Sequence, residues 1–158
     1  MTGDQTLIQI VDAALVEAAR KAGAWLACRP GCFECCLGPF PISPQDAARL
    51  RRGLAFIDSG RAERVRERAR QYRGLSDDEP CPALDPETGT CDLYEWRPLT
   101  CRTFGPPLHF RDEALAVCEL CFVGATVEQI AACEVEIEAD SPEEDDASET
   151  TVARALAL

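Results

Sequence analysis

The chain is 158 residues long and 46% hydrophobic, which allows a sizeable packed core and excludes a wholly disordered protein. Its formal net charge is −12 at pH 7, from 16 basic and 28 acidic residues, which argues against binding to nucleic acid or to an anionic membrane surface. The charge is uneven, because residues 134–158 hold nine of the acidic residues and a single arginine. We therefore predict one domain over residues 1–133 and an acidic C-terminal tail, in part helical, over residues 134–158.

Cysteine is the most informative residue type, with ten copies against one histidine and one methionine. The first twenty residues lack the basic-then-apolar pattern of a secretory signal, and no apolar run is long enough to span a membrane. These features predict a cytoplasmic protein with no membrane partner, in which thiols stay reduced. Thiols used as metal ligands are therefore favoured over a disulfide-stabilised secreted scaffold.

Apolar periodicity and capping signals predict three helices in the first half of the chain. They cover residues 5–27, residues 44–57 after an N-cap at Ser43, and residues 60–73. The third helix is rich in arginine. Because no aromatic residues or glycines accompany these arginines, we interpret them as a solvated face paired by Glu63–Arg66 and Glu67–Arg70, rather than as a phosphate-binding face.

From residue 81 onward the sequence changes to short pieces separated by turns. We predict a hairpin around residues 85–89, a short helical segment over 94–102, a second hairpin around 111–113, a helix from Thr126 through Cys133, and a last helix starting at Ser141. The spacing of Thr126 and Gln129 is that of a capping box. These elements together predict a small α+β fold, in which helices frame an irregular, cysteine-rich, metal-organised core with short hairpins.

Nine cysteines are candidate metal ligands, and they fall into three groups along the chain. The groups are Cys28, Cys32, Cys35 and Cys36, then Cys81, Cys91 and Cys101, and finally Cys118 and Cys121. Thiolates select zinc, Cu(I) and iron–sulfur clusters, and nine are enough for two four-ligand sites. Adjacent side chains generally diverge, so the vicinal pair Cys35–Cys36 indicates either two neighbouring centres or one core residue. Cys133, inside a predicted helix, is interpreted as a buried apolar residue.

Two segments, CRPGCFECCLGPFP at 28–41 and CPALDPETGTCDLYEWRPLTCRTF at 81–104, resemble the CxxCxxCC cysteine-cluster family, also called YkgJ-type. The resemblance covers roughly residues 25–125 and includes Tyr94, Arg97 and Arg102 beside the cysteines. It implies bound zinc or iron, and some relatives are regarded as iron–sulfur flagellin lysine methylases.

Tyr94, Arg97 and Arg102 are the residues expected next to the ligands. Four thiolates around zinc or an oxidised four-iron cluster leave a net negative charge, which guanidinium groups hydrogen-bonded to sulfur would offset. The alternative is that the two arginines pair with surface carboxylates, and the candidates for that are Asp92, Glu95 and Asp112. The lone histidine, His109, is interpreted as structural.

The sequence therefore predicts a cytoplasmic metal-binding protein with a cysteine-ligated iron–sulfur cluster, which we prefer, or zinc. One alternative is a cluster-dependent protein-modifying enzyme of the methylase kind, for which the sequence indicates no catalytic residue. Another is a structural zinc module that reaches a protein partner through its acidic tail.

Metal removal should loosen residues 28–41 and 81–121, because loops rich in glycine and proline have few other ties and metal binding contributes folding free energy. Near-UV circular dichroism before and after chelation would measure this. A full spectrum retained after verified metal removal would contradict the prediction.

Overall fold

The structure is a computed structural model that describes residues 3–140 and 150–158. Its described part is a small α+β fold with six α-helices and short strands, as the sequence predicts. It divides into two compact units: unit 1 takes residues 3–29 and 99–140, and unit 2 takes residues 30–98 and 150–158. The predicted division into a domain over 1–133 and a tail over 134–158 stays a prediction.

Unit 1 consists of one long helix, two short helices and a three-stranded sheet. In chain order the elements are α1 (Gly3–Ala22), a 3-10 turn (Gly23–Trp25), α4 (Leu99–Thr103), β4 (Leu108–Phe110), β5 (Glu113–Ala114), α5 (Val127–Ala131) and β6 (Val135–Ile137). Strand β4 lies in the centre, antiparallel to β5 and parallel to β6. One face of α1 packs on this sheet, where Val11, Leu108 and Ile137 are almost completely buried.

Helix α1 is shorter than the predicted span of 5–27. It ends at Ala22 because Gly23 adopts a φ of +52°, in the left-handed region that commonly terminates helices. The following 3-10 turn carries the chain toward Cys28.

Unit 2 consists of three helices and two two-stranded sheets. In chain order the elements are a 3-10 turn (Glu34–Cys36), β1 (Pro41–Ile42), α2 (Pro44–Phe56), α3 (Ser59–Gln71), β2 (Leu84–Asp85), β3 (Thr90–Cys91), a 3-10 turn (Tyr94–Trp96), β7 (Thr150–Thr151) and α6 (Val152–Leu156). Strand β1 pairs with β7, and β2 pairs with β3, both antiparallel. Helices α2, α3 and α6 enclose a core that contains Leu50, Val65 and Leu156, each no more than 1% exposed.

The turn that carries Tyr94 to Trp96 packs very closely on α2. A Cβ atom added at Gly53 would lie 2.5 Å from Cγ of Trp96, which is far inside van der Waals contact. Glycine at this position therefore permits the approach of the turn to the helix.

The local helix and hairpin signals are confirmed. The Ser43 side chain accepts a hydrogen bond from the Asp46 amide at the start of α2, and Thr126 and Gln129 form the complete capping box of α5. The two predicted hairpins are present as β2–β3 and β4–β5. On α3, the predicted ion pairs Glu63–Arg66 and Glu67–Arg70 are present at 3.7 and 2.9 Å.

Residues 150–158, the last part of the predicted acidic tail, contribute to the core of unit 2. Val152, Ala155 and Leu156 are buried there, and the Val152 amide donates to the carbonyl of Phe40 at 3.1 Å. The helix predicted to start at Ser141 lies outside the described residues. Within the described ranges, no helix is long and apolar enough to cross a membrane.

Replacing Leu156 with alanine should lower the free energy of unfolding by about 2–5 kcal/mol, because the substitution leaves a cavity in a fully buried site. Leu158 is 77% exposed, so Leu158→Ala is a matched control with an expected change within about 0.5 kcal/mol. Urea unfolding of both variants measures the difference. Equal effects would show that α6 does not stabilise the core of unit 2.

Candidate metal centre

Two segments that are distant in sequence pair in unit 2 and bring Cys36 next to Cys81. The Gly38 amide donates to the carbonyl of Glu79 at 2.8 Å, and the Cys81 amide donates to the carbonyl of Cys36 at 2.7 Å. Cys35 and Cys36 both lie on the 3-10 turn that precedes this pairing. The vicinal pair and Cys81 are thus held together by backbone hydrogen bonds.

The β2–β3 hairpin adds Cys91 to this group. Cys91 lies opposite Leu84, whose amide donates to the carbonyl of Cys81 at 2.9 Å. The Asp92 amide donates to the carbonyl of Ala83 at 2.8 Å and closes the base of the hairpin. We refer to Cys35, Cys36, Cys81 and Cys91 as the unit 2 cysteine group.

The thiols of the vicinal pair interact with each other, contrary to the expectation that they diverge. A hydrogen bond with Cys36 lowers the pKa of the Cys35 thiol to about 6, although burial opposes this change. The same hydrogen bond and burial raise the pKa of Cys36, and the neighbouring thiols of Cys35, Cys81 and Cys91 add to this effect. The thiolate is the form that binds metal, so Cys35 is already favourable for metal binding at neutral pH.

Burial is the largest influence on the pKa values of the two cysteines Cys81 and Cys91. It raises the pKa of Cys81, and it raises the pKa of Cys91 to about 12. A metal ion that binds these thiols must therefore displace their protons.

Arg97 lies close enough to the unit 2 cysteine group for its positive charge to lower the pKa values of Cys35 and Cys91. Its guanidinium carbon lies 3.7 Å from the centre of the Tyr94 ring, and its Nε donates to the carbonyl of Tyr94 at 2.8 Å. The carbonyl of Arg97 accepts a hydrogen bond from buried Arg49 at 3.2 Å, and Arg49 also pairs with Asp46. The position of Arg97 therefore suits the predicted compensation of thiolate charge, which stays a prediction.

A second set of cysteines lies in unit 1, around Gly105. A Cβ atom added at Gly105 would lie 3.2 Å from the Cys28 sulfur, and the carbonyl of Gly105 accepts a hydrogen bond from the Cys118 amide at 3.1 Å. The Cys121 sulfur accepts a hydrogen bond from the Ala27 amide at 3.4 Å. Cys101 is on α4, and we assign it to this set by its position in the sequence, four residues before Gly105. We refer to Cys28, Cys101, Cys118 and Cys121 as the unit 1 cysteine group.

Cys118 and Cys121 are both buried, and their side chains interact. Burial is the main cause that raises the pKa of Cys118, and the neighbouring Cys121 adds to it. Cys133 is buried in the same apolar cluster, where its thiol donates to the carbonyl of Lys21 at 3.6 Å. This position agrees with its interpretation as a core residue.

Arg102 and His109 have protein partners within unit 1. The Arg102 side chain is 5% exposed and donates to both carboxylate oxygens of Asp12, at 2.7 and 2.8 Å. Asp12 is not one of the three carboxylates considered from the sequence. The Nδ1 atom of His109 lies 2.8 Å from the carbonyl of Arg111, on the β4–β5 turn.

The remaining candidate, Cys32, is half-buried in the loop before the vicinal pair, beside Gly31. The first group of cysteines in the sequence, from Cys28 to Cys36, is thus divided between the units, since Cys28 belongs to unit 1 and Cys32 to unit 2.

All ten cysteines are free thiols, so the donor chemistry of both groups is that of soft ligands, which suit zinc or an iron–sulfur cluster. As they stand, no three His, Cys, Asp or Glu side chains in residues 3–140 and 150–158 form a group that could hold a metal ion. The fit to metal therefore rests on the chemistry of the donors and on the backbone contacts that bring their segments together.

A cavity of about 400 Å³ opens beside Cys81 within unit 2. Its walls include Phe33, Tyr72 and Leu84, and the Tyr72 hydroxyl is buried with no hydrogen-bond partner in the described part of the chain. The exposed wall of the cavity is mostly apolar, although Arg68, Gln71, Glu79 and Asp85 also line it.

The sequence pattern of the CxxCxxCC family, described as "Putative zinc- or iron-chelating domain", matches residues 27–122. The chain belongs to this family, and membership supports metal binding through its cysteine cluster. No curated protein matches the chain significantly, and no solved structure does either.

Replacing Gly105 with alanine should weaken metal retention in unit 1 and lower stability by about 1–3 kcal/mol, because a side chain at φ +130° is strained and its Cβ would press on the Cys28 sulfur. Gly124→Ala is the matched control, since Gly124 also has a positive φ, of +80°, but nothing lies within 4 Å of an added Cβ. Urea unfolding and metal content of both variants would be compared. Equal metal content in the two would contradict a role for the Cys28 contact.

Proposed function

We propose that the protein binds metal through two thiolate groups, one in each unit. The unit 2 group is Cys35, Cys36, Cys81 and Cys91, with Cys32 as a further candidate from the same loop. The unit 1 group is Cys28, Cys101, Cys118 and Cys121. Cys133 is not part of either group, because it lies in the apolar core and its thiol donates to a backbone carbonyl.

The observation that carries this proposal is the backbone pairing that joins Cys36 to Cys81 and places Cys91 on the adjoining hairpin. Cys35, Cys81 and Cys91 each raise the pKa of Cys36, although they come from three separate segments. Grouped thiolates repel one another, so their proximity is unfavourable unless protons or a cation neutralise them. A bound metal ion or cluster would provide that neutralisation.

Within this proposal we prefer an iron–sulfur cluster to zinc. Zinc is saturated by four thiolates, whereas unit 2 supplies five candidate cysteines and a vicinal pair, which suits a polynuclear centre. The positive charge of Arg97 beside Cys35 and Cys91 would offset the net negative charge of a thiolate-ligated cluster. When bound, such a cluster supplies electron-transfer chemistry.

The second candidate is a cluster-dependent protein-modifying enzyme, and the cavity beside Cys81 is the observation in its favour. An enzyme needs space for a reacting group next to its metal centre, and this cavity is large enough for a side chain. A group transferred to a candidate substrate protein would appear as a mass increase that depends on the metal-loaded protein.

The third candidate is a zinc-bound module that binds a protein partner through its acidic tail. Neutralising the acidic residues of the tail tests this candidate better than deleting the tail. Removal of residues 134–158 would also remove strand β6 and helix α6, which are parts of the fold. Replacement of the acidic residues by their amides leaves those elements in place.

Anaerobically purified protein should contain roughly four irons and four sulfides per cluster and absorb in the visible range. The zinc alternative predicts a colourless protein with one or two zinc ions, and protein with neither metal would contradict the proposal.

Cys91→Ser and Cys118→Ser should each lower the metal content, because each removes a ligand from one group. Cys133→Ala is the control, with metal content expected to equal that of the wild type.

A further inference from the structure

We propose that Arg68 is a positioning residue for the unit 2 cysteine group, in that it fixes Cys81 relative to Cys91. This inference rests on the proposed metal-binding function of that group. From the sequence alone, Arg68 belongs to the arginine-rich helix that we interpret as a solvated face.

The Arg68 side chain joins the two residues that directly follow the cysteines of the hairpin. Its Nε donates to the carbonyl of Pro82, next to Cys81, at 2.8 Å. Its Nη2 donates to the carboxylate of Asp92, next to Cys91, at 2.6 Å. One rigid guanidinium group therefore bridges the two cysteine-bearing segments, in addition to the backbone hydrogen bond between Asp92 and Ala83.

The contact is partly shielded from water, which distinguishes it from the other ion pairs of α3. The side chains of Arg68 and Asp92 are 24% and 10% exposed, whereas Arg70 pairs with glutamates of its own helix at 45% exposure. A charge-assisted hydrogen bond in a less polar environment is stronger than one at an open surface. Helix α3 is itself fixed by Val65, which is completely buried.

Arg68 contacts a short hairpin whose base is closed by the hydrogen bond from the Asp92 amide to the Ala83 carbonyl. Its strands contain two residues each, and such short pairings are marginal without tertiary support. Loss of Arg68 should therefore let the two cysteine-bearing segments move apart.

The test compares three variants of the full chain loaded with Co²⁺, whose thiolate absorption bands report ligand geometry. Arg68→Met removes both contacts. Arg68→Lys keeps the positive charge, but a single ammonium group does not reproduce the two N–H donors that the guanidinium directs at Pro82 and Asp92. Arg61→Met is the matched control, because Arg61 contacts the same Asp92 carboxylate at 3.5 Å and is 48% exposed.

We expect Arg68→Met to release Co²⁺ to EDTA about tenfold faster than the wild type, with altered absorption bands, as is typical when a residue that orients metal ligands is lost. Arg68→Lys should remain close to Arg68→Met, and Arg61→Met should stay within about twofold of the wild type. The gap in melting temperature between Co²⁺-loaded and metal-free protein should also shrink in Arg68→Met. A purely structural role would lower both melting temperatures together and leave the gap unchanged, which would overturn the inference.

Unchanged release from Arg68→Met would overturn the positioning role alone, provided that Cys91→Ser loses Co²⁺. If Cys91→Ser binds and releases Co²⁺ like the wild type, the proposed function itself fails. Should Arg68→Met not fold, Asp92→Asn weakens the same contact with a side chain of the same size. Wild-type release from that variant would then count against the inference.

Discussion

The unit 2 cysteine group depends on one short backbone pairing, between residues 36–38 and 79–81. Two hydrogen bonds, from Gly38 to Glu79 and from Cys81 to Cys36, join a loop to a segment that helices α2 and α3 separate from it in sequence. Closing such a loop costs conformational entropy, and two hydrogen bonds of about 1 kcal/mol each do little to offset it. The packing of α2, α3 and α6 must therefore hold the two segments in register. The position of the thiols thus depends on an apolar core against which Cys81 and Cys91 pack.

The elements that could be predicted from the sequence are those whose cause is local. Ser43 starts α2 by accepting a hydrogen bond three residues ahead, and Thr126 with Gln129 starts α5 in the same way. The turn ending at Gly89 determines the first hairpin, since its amide bonds back to Asp85 at 2.9 Å. Each of these interactions spans only a few residues, so a single stretch of sequence contains both partners.

The features that could not be predicted depend on partners distant in the chain. Arg102 pairs with Asp12, ninety positions away in sequence, and no local pattern distinguishes that aspartate from nearer acids. In the sequence, nothing distinguishes Arg68 from the other arginines of α3. Only the folded structure shows that it contacts Pro82 and Asp92 of the hairpin. The close contact of Cys28 with Gly105 is likewise invisible in the sequence, because it requires a bare backbone at one point of the fold. Cysteine spacing identified candidate ligands, but it did not indicate how they divide between the units.

Unit 2 is formed by two segments that are separated in sequence, so its core cannot be completed until the end of the chain has been synthesised. Its last cysteine, Cys91, is followed by the whole second segment of unit 1 before helix α6 is synthesised. During synthesis on the ribosome, every thiol of the unit 2 group is therefore exposed before Leu156 can complete the core beneath it. The nascent chain thus passes through a stage in which these thiols are not covered by the completed core and are more open to oxidation than in the folded protein.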